Sequence, residues 1–194
     1  GLPLAILQDL AGPKVRIGEI PGGEVILREG GVFSLSAGPL EAGQAGVVVD
    51  YPEVITETPL GAPILLADGN IELRVETRTD STLTCRVVVG GVLRSRVGIN
   101  FPMHSVSVAA FTLKDQEDLR FGIAQGIDFI ALSYVRSRQD ILAAKEFMRS
   151  LGADIPIIAK IEKHEALSRL EEILDEADGL MVARGDLGVE IPLE

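Results

Sequence analysis

Cysteine, long apolar runs and basic residues are all scarce in this sequence of 194 residues. A single cysteine, Cys85, excludes an intramolecular disulfide framework and is typical of a reducing compartment such as the cytoplasm. No apolar run approaches the roughly 18–20 residues that a membrane-spanning helix needs, so we expect no membrane partner. The 18 basic residues are outnumbered by 29 acidic ones, which gives a formal net charge of −11. This excess of acid argues against a nucleic-acid partner.

The remaining composition is that of a folded globular protein, with 46% hydrophobic and 24% charged residues. A length of 194 residues allows one domain, or a domain that carries a smaller inserted one. The sequence begins at Gly1, with neither a methionine nor a signal peptide, and stops at Glu194 directly after a dense motif. We therefore expect both ends to be cut from a longer protein.

Residues 17–97 have the pattern of a small all-β domain. Short strand-like segments, such as residues 71–76 and 82–89, are separated by glycines, and no amphipathic helix is visible. About 80 residues of short strands at this spacing predict an antiparallel barrel or sandwich.

The flanking residues predict alternating strands and helices. Strands are predicted at residues 3–7, 129–135, 155–162 and 179–184, and helices at about 112–125, 137–151 and 165–177. Thr112 and Asp115 have the spacing of a capping box, and Ser137 is expected to open the next helix. This alternation is typical of a parallel sheet covered by helices, in either an open doubly wound fold or a (β/α)8 barrel. Polar residues at the strand ends favour the barrel.

Three polar residues near two consecutive strand ends form a candidate site. Lys160 and Glu162 are two residues apart and so point to the same side of one strand, and Asp186 is expected to end the next strand. Two carboxylates on neighbouring strands can share one Mg²⁺ ion, and the glycines beside Asp186 would let backbone N–H groups approach an anion. This combination suits a phosphorylated or carboxylate-bearing substrate. A solvated Lys–Glu pair followed by an ordinary turn is the alternative interpretation.

Several motifs resemble those of the pyruvate kinase family. The most specific are residues 158–163 and 178–192, and residues 9–16, 67–69 and 128–136 agree in order and spacing. The resemblance covers essentially the whole sequence. It implies a partial (β/α)8 TIM barrel with an inserted small all-β barrel lid domain. Residues 1–16 would be the third barrel strand, residues 17–97 the lid, and residues 98–194 the βα units from helix three to strand six.

The resemblance also implies an activity, the transfer of the phosphoryl group of phosphoenolpyruvate to ADP, which gives pyruvate and ATP as the last step of glycolysis. Lys160 would be the catalytic electrophile, and Glu162 and Asp186 would bind Mg²⁺ or Mn²⁺. Gly185 and Asp186 would donate backbone hydrogen bonds to the substrate carboxylate. Arg16 would contact nucleotide phosphates, and Ser133 and Arg136 would be supporting residues at the mouth of the site.

The sequence departs from the family pattern in two places. Asp9 keeps a position that binds a monovalent cation in many members, but Leu10 and Lys14 replace the threonine and glutamate that accompany it. This combination resembles the K⁺-independent branch, and we expect that K⁺ is not required. In the lid, Val97 replaces a nucleotide-binding lysine and Ala67 replaces an aspartate, changes that concern nucleotide binding and lid closure.

The missing parts of the barrel lead us to expect that the isolated chain is inactive, and that the full-length parent is a cytoplasmic homotetramer, as is usual in the family. Two alternative functions remain open. One is a metal-dependent lyase or aldolase of the same barrel type that acts on the pyruvate enolate. The other is a non-catalytic paralogue of pyruvate kinase that serves as a binding module.

Overall fold

The computed structural model describes residues 3–102 and 104–191, and the chain divides into two compact units. Gly1–Pro13 and Ala109–Glu194 form the first, which we call the α/β unit, and Lys14–Val108 form the second, the β unit. The boundaries predicted from the sequence, residues 17 and 97, both lie inside the β unit. Among the described residues, no helix has the length and apolar character needed to cross a bilayer.

The described part of the chain contains twelve strands and six helices. The strands are β1 Leu7–Leu10, β2 Glu24–Leu27, β3 Val32–Ser36, β4 Gly46–Val48, β5 Pro63–Leu66, β6 Ile71–Arg78, β7 Thr82–Val89, β8 Gly91–Arg94, β9 Ile99–Asn100, β10 Phe129–Leu132, β11 Ile157–Ile161 and β12 Gly179–Val182. The helices are α1 Glu53–Glu57, α2 Leu113–Gln125, α3 Arg138–Ser150, α4 His164–Ser168, α5 Leu170–Glu176 and α6 Arg184–Glu190.

The α/β unit is built on a four-stranded parallel sheet in the order β1-β10-β11-β12. The two inner strands are apolar except at Lys160 of β11, because helices cover a parallel sheet from outside and strand side chains alternate between its faces. Ile130, Leu132 and Ala159 are fully buried, and Leu119 of α2 and Ile141 of α3 pack in the same core. All four strands run in one direction, so the residues that follow them gather at one edge of the sheet.

The helix starts in this unit follow local sequence signals. The Thr112 hydroxyl accepts a hydrogen bond from the Asp115 N–H, and the Asp115 carboxylate accepts one from the Thr112 N–H, which confirms the predicted capping box of α2. Gly126 ends the helix in a left-handed conformation with φ +76°. The carboxylate of Asp140 likewise accepts from the Ser137 N–H at the start of α3.

The β unit contains a six-stranded sheet in the order β4-β3-β7-β6-β5-β9 and the antiparallel pair β2-β8. One segment bonds to both edges of the six-stranded sheet. Ile17 forms a bridge with Val49, directly after β4, and Arg16 forms a bridge with Gly98, directly before β9. The interior is apolar, with Leu35, Leu73 and Cys85 fully buried.

Several predicted boundaries are wrong. The strand predicted over residues 129–135 ends at Leu132, and the strand predicted over residues 155–162 spans only Ile157–Ile161. The first strand spans Leu7–Leu10 rather than residues 3–7, because its partner β10 begins only at Phe129, and Leu4 remains exposed. The helix predicted over residues 165–177 is interrupted at Arg169, which has φ −122° and ψ 21°. The strand predicted to run to residue 184 ends at Val182.

Two further expectations fail on local grounds. The apolar spacing of residues 165–177 predicts that Leu174 faces inward. It is instead 50% exposed, because its neighbour Ile173 takes the buried position and successive helical residues point about 100° apart. The β unit also contains the short helix α1, whose five residues are too few to show a helical period.

Candidate active site

Four of the sequence-predicted residues meet at the carboxyl ends of three neighbouring strands. Asp9 lies in β1 and Ser133 directly follows β10. Lys160 lies in β11, and Glu162 directly follows that strand. Since the strands are parallel and adjacent, residues that are distant in sequence become neighbours at this edge.

The ammonium group of Lys160 is the centre of this cluster. Its Nζ lies 3.1 Å and 3.2 Å from the two carboxylate oxygens of Asp9 and 3.1 Å from Oε1 of Glu162. It also donates to the hydroxyl of Ser133 at 2.8 Å. Burial alone would lower the pKa of Lys160, but the hydrogen bond to Asp9 and the charge of Glu162 outweigh it, so that the pKa lies above its ordinary value. The lysine therefore carries its positive charge at neutral pH.

The carboxylate of Glu162 is held by both the main chain and Lys160. The side chain is only 3% exposed, and Oε2 accepts a 2.8 Å hydrogen bond from the backbone N–H of Tyr134. Tyr134 has φ +56°, a left-handed conformation that is rare for a bulky residue and that turns its N–H toward Glu162. The partners on both oxygens fix the orientation of this buried carboxylate.

A glycine on the neighbouring loop packs against Tyr134. Gly12 has φ +63°, and a Cβ at this position would lie 2.8 Å from Cδ2 of Tyr134. The N–H of Gly12 donates to Oδ1 of Asp115 at 3.1 Å, so that the capping residue of α2 also supports this loop. The close approach explains why no larger residue fits at position 12 without moving Tyr134.

Gly185 and Asp186 occupy a different local structure from the one expected. The sequence predicts them at a strand end, but β12 stops at Val182 and both residues lie in the first turn of α6. Their predicted roles do not depend on the strand, because β12 lies beside β11 and α6 begins two residues after β12.

The structure shows other contacts for Arg136 and Arg16. The backbone N–H of Arg136 donates to Asp140 at 2.9 Å, which places it at the entrance of α3. Arg16 belongs to the β unit, where its guanidinium donates to the backbone oxygen of Arg96 at 3.0 Å. The roles assigned to both residues stay predictions.

The donor set at this edge suits a hard divalent cation. Glu162 and Asp186 offer carboxylate oxygens, the ligands that Mg²⁺ prefers, and each carboxylate oxygen can accept more than one partner. Both oxygens of Glu162 already have one partner each, Lys160 on Oε1 and Tyr134 on Oε2. The buried carboxylate of Glu162, with its fixed orientation, and the carboxylate of Asp186 in α6 are therefore the candidate pair of ligands.

Two features of this cluster were not predicted. Asp9 and Lys160 are 151 positions apart, so no local pattern indicates their ion pair. The N–H of Tyr134 is a main-chain group, and nothing in its side chain predicts the bond to Glu162. The position of Asp9 just before the end of an apolar strand is the one signal that could have drawn attention to the ion pair.

The comparisons with known proteins agree across the whole sequence. The sequence model described as pyruvate kinase, barrel domain, matches residues 1–194. The chain is 48% identical over 197 residues to pyruvate kinase 2 of Synechocystis, 45% over 192 to the pyruvate kinase of Thermotoga maritima and 41% over 198 to human pyruvate kinase PKLR. Each match covers 99% of this chain, which spans 33%, 41% and 34% of the length of these relatives, respectively.

Proposed function

Because the chain belongs to the pyruvate kinase family, we propose that it is part of an enzyme that transfers the phosphoryl group of phosphoenolpyruvate to ADP, giving pyruvate and ATP. The observation that carries this proposal is the Lys160 cluster, in which an ammonium group is bound by Asp9, Glu162 and the Ser133 hydroxyl. The chain spans 33% to 41% of the relatives named above, so the activity is proposed for the full-length protein.

Lys160 is proposed to offset the negative charge on the phosphoryl group during transfer. Phosphoryl transfer depends on positioning and charge neutralisation more than on covalent chemistry, and a positive charge held in place costs no reorganisation when the reaction occurs. The contacts with Asp9, Ser133 and Glu162 hold Nζ in place, and the raised pKa of Lys160 keeps it protonated.

Glu162 and Asp186 are proposed to hold Mg²⁺ or Mn²⁺. Such a cation, when bound, supplies Lewis-acid stabilisation of oxygens that gain negative charge. Glu162 is oriented for this role by the N–H of Tyr134 at 2.8 Å. The backbone N–H groups of Gly185 and Asp186 are proposed to donate hydrogen bonds to the substrate carboxylate. Arg136 is proposed to be a supporting residue at the entrance of the site.

The β unit is proposed to be the all-β lid of a (β/α)8 barrel, with Arg16 contacting the nucleotide phosphates. This assignment is supported by its eight strands and by its place between the two parts of the α/β unit. We further propose that the full-length enzyme is a homotetramer that acts in the cytoplasm.

The enzyme is proposed to work without K⁺. Leu10 and Lys14 stand where the K⁺-dependent pattern has threonine and glutamate, and the ammonium group of Lys14 would supply the positive charge that K⁺ supplies in that pattern. We expect equal rates in Na⁺, Tris and K⁺ buffers. Full activity that appears only after K⁺ is added would contradict this.

A coupled assay of the full-length protein with phosphoenolpyruvate, ADP and Mg²⁺ tests the proposed function. We expect ATP formation that is lost in Lys160→Met but kept in Lys145→Met, a lysine that binds Glu176 away from the cluster. Absence of ATP formation by the wild-type protein would refute the proposal. Consumption of pyruvate by condensation with an aldehyde would instead indicate a lyase or aldolase, and neither reaction would indicate a binding module.

A further inference from the structure

A second cluster of charged side chains lies beside the candidate active site. Glu190, the last residue of α6, has a fully buried side chain. Its Oε1 accepts from Lys163 Nζ at 2.5 Å, and its Oε2 lies 3.2 Å from Nδ1 of His164. Glu165 completes the cluster, with its Oε2 3.2 Å from the same Nδ1. A buried carboxylate contributes little net stability even when it is paired, because desolvation offsets the attraction, and this points to another purpose for Glu190.

The position of these residues relative to the two proposed metal ligands suggests that purpose. Lys163 directly follows Glu162, and Glu190 lies four residues after Asp186, one helical turn further on the same face of α6. The contacts of Glu190 with Lys163 and His164 therefore join the segment that carries Glu162 to the helix that carries Asp186.

We propose that Glu190 is a positioning residue that fixes Asp186 relative to Glu162 and so sets the affinity of the site for its divalent cation. This inference rests on the proposed function, because it takes Glu162 and Asp186 as the ligands. Partners that orient metal ligands typically change metal affinity by about 10-fold to 100-fold when they are removed.

The oxygens of Glu165 and Glu190 and the His164 nitrogen all lie within 4.8 Å of one another, a spacing that can also hold a metal ion. The ammonium group of Lys163 on the same carboxylate favours an ion-pair connection instead, because it already supplies the positive charge.

Direct Mn²⁺ binding to the full-length protein, measured by electron paramagnetic resonance, tests the proposal. In Glu190→Gln we expect the Mn²⁺ dissociation constant to rise by about 10-fold to 100-fold, with the apparent Mn²⁺ KM rising in parallel and kcat at saturating Mn²⁺ nearly unchanged. Glu165→Gln is the matched control, since it removes the same charge from the same cluster but leaves the contacts between Glu190 and residues 163–164 intact. We expect wild-type affinity in this control.

Lys163→Met separates positioning from simple electrostatics and also serves if Glu190→Gln does not fold. If the charges acted only through space, removal of a positive charge would tighten Mn²⁺ binding, whereas loss of the connection to Glu190 weakens it. Circular dichroism confirms that each variant is folded, so that a change in stability is not mistaken for a change in affinity.

Wild-type affinity in folded Glu190→Gln, or tighter binding in Lys163→Met, would overturn the inference. So would a second bound Mn²⁺ that is lost in both glutamate variants, because the cluster would then be a metal site itself. If the wild-type protein makes ATP and these variants bind Mn²⁺ normally, only the positioning role fails. If the wild-type protein makes no ATP, the proposed function fails.

Discussion

The two units differ in what they bury. In the described part of the chain, every buried carboxylate lies in the α/β unit, namely Asp115, Glu162 and Glu190. The buried polar residues of the β unit are all neutral, namely Ser34, Ser36, Thr58 and Asn100. Among the described residues, the α/β unit thus contains buried charges, which carry a desolvation cost, whereas the buried polar residues of the β unit carry no charge.

This difference indicates that the proposed chemistry depends on charges in the α/β unit, whereas apolar packing dominates the stability of the β unit. A buried ion pair contributes little net stability, because desolvation offsets the attraction between the charges. Two of the buried carboxylates, Glu162 and Glu190, are held by lysines close to the proposed metal ligands. Substitutions of charge in the α/β unit should therefore affect activity most, and substitutions of apolar volume in the β unit should affect stability most.

The largest effect is expected for Glu162→Gln. Glutamine keeps the size of the side chain and an oxygen for the Tyr134 N–H, but it loses the charge that balances Lys160 and binds the cation. We expect kcat/KM for phosphoenolpyruvate to fall about 1,000-fold. Steady-state assays of the full-length protein measure this, with Asp115→Asn as the control, a buried carboxylate that caps α2. An equal loss of activity in both variants would show that Glu162 is no more important for activity than a buried carboxylate that caps a helix.

The β unit should respond to loss of apolar volume. Leu35→Ala removes a fully buried side chain of β3 and leaves a cavity, and we expect the free energy of opening to fall by about 3 kcal/mol. Hydrogen exchange of the β7 amides, which pair with β3, measures this local stability. Ile26→Ala, at a position 69% exposed, is the control and should change little. A similar loss in both variants would show that burial does not decide stability here.

A smaller effect on rate is expected for Ser133→Ala. The substitution removes the 2.8 Å hydrogen bond to Lys160 but leaves its two carboxylate partners. A hydrogen bond to a charged group contributes about 1.5–3 kcal/mol, so kcat should fall about 10-fold to 100-fold. Ser150→Ala, which removes only a bond to the backbone of α3, is the matched control. An unchanged kcat in Ser133→Ala would show that this hydroxyl does not help to hold Lys160.

The smallest effect on activity is expected for Cys85→Ala, and the predictions for this residue concern its reactivity and the stability of the fold. Burial, with a smaller contribution from the charge of Glu76, raises the pKa of this thiol to about 12. We expect no alkylation by iodoacetamide at about pH 8, as measured by peptide mass mapping, and full alkylation in denaturant. The free energy of unfolding should decline as pH rises from about 8.5, where the unfolded thiol ionises, toward the folded pKa. Cys85→Ala should remove that part of the decline, and rapid labelling of the native protein would contradict the prediction.

Local signals in the sequence were sufficient for much of the fold. The capping residue Thr112, the stop at Gly126 and the two ends of β7 were predicted because each depends on a few adjacent residues. Lys160 and Glu162 were expected on one side of a strand end, and the salt bridge between them confirms that they are neighbours. Short-range sequence patterns therefore predicted those element ends that depend on a few neighbouring residues.

Features that depend on distant residues were missed. The ion pair of Asp9 with Lys160 arises only because β1, β10 and β11 lie side by side, which no local pattern encodes. The interruption at Arg169 was missed because the apolar pattern runs across it, and no helix was predicted where α6 lies. Tertiary packing decides such boundaries, and the propensity of single residues is too weak to predict them.

The hydrogen bond from Tyr134 to Glu162 has a consequence for substitutions at position 134. Its donor is a main-chain N–H, which every amino acid except proline possesses, so the donor itself does not depend on the side chain at position 134. The left-handed φ of +56° favours glycine or asparagine there, yet a tyrosine occupies it. A substitution of Tyr134 therefore removes the ring that packs against Gly12, whereas the donor of the hydrogen bond to Glu162 is still present.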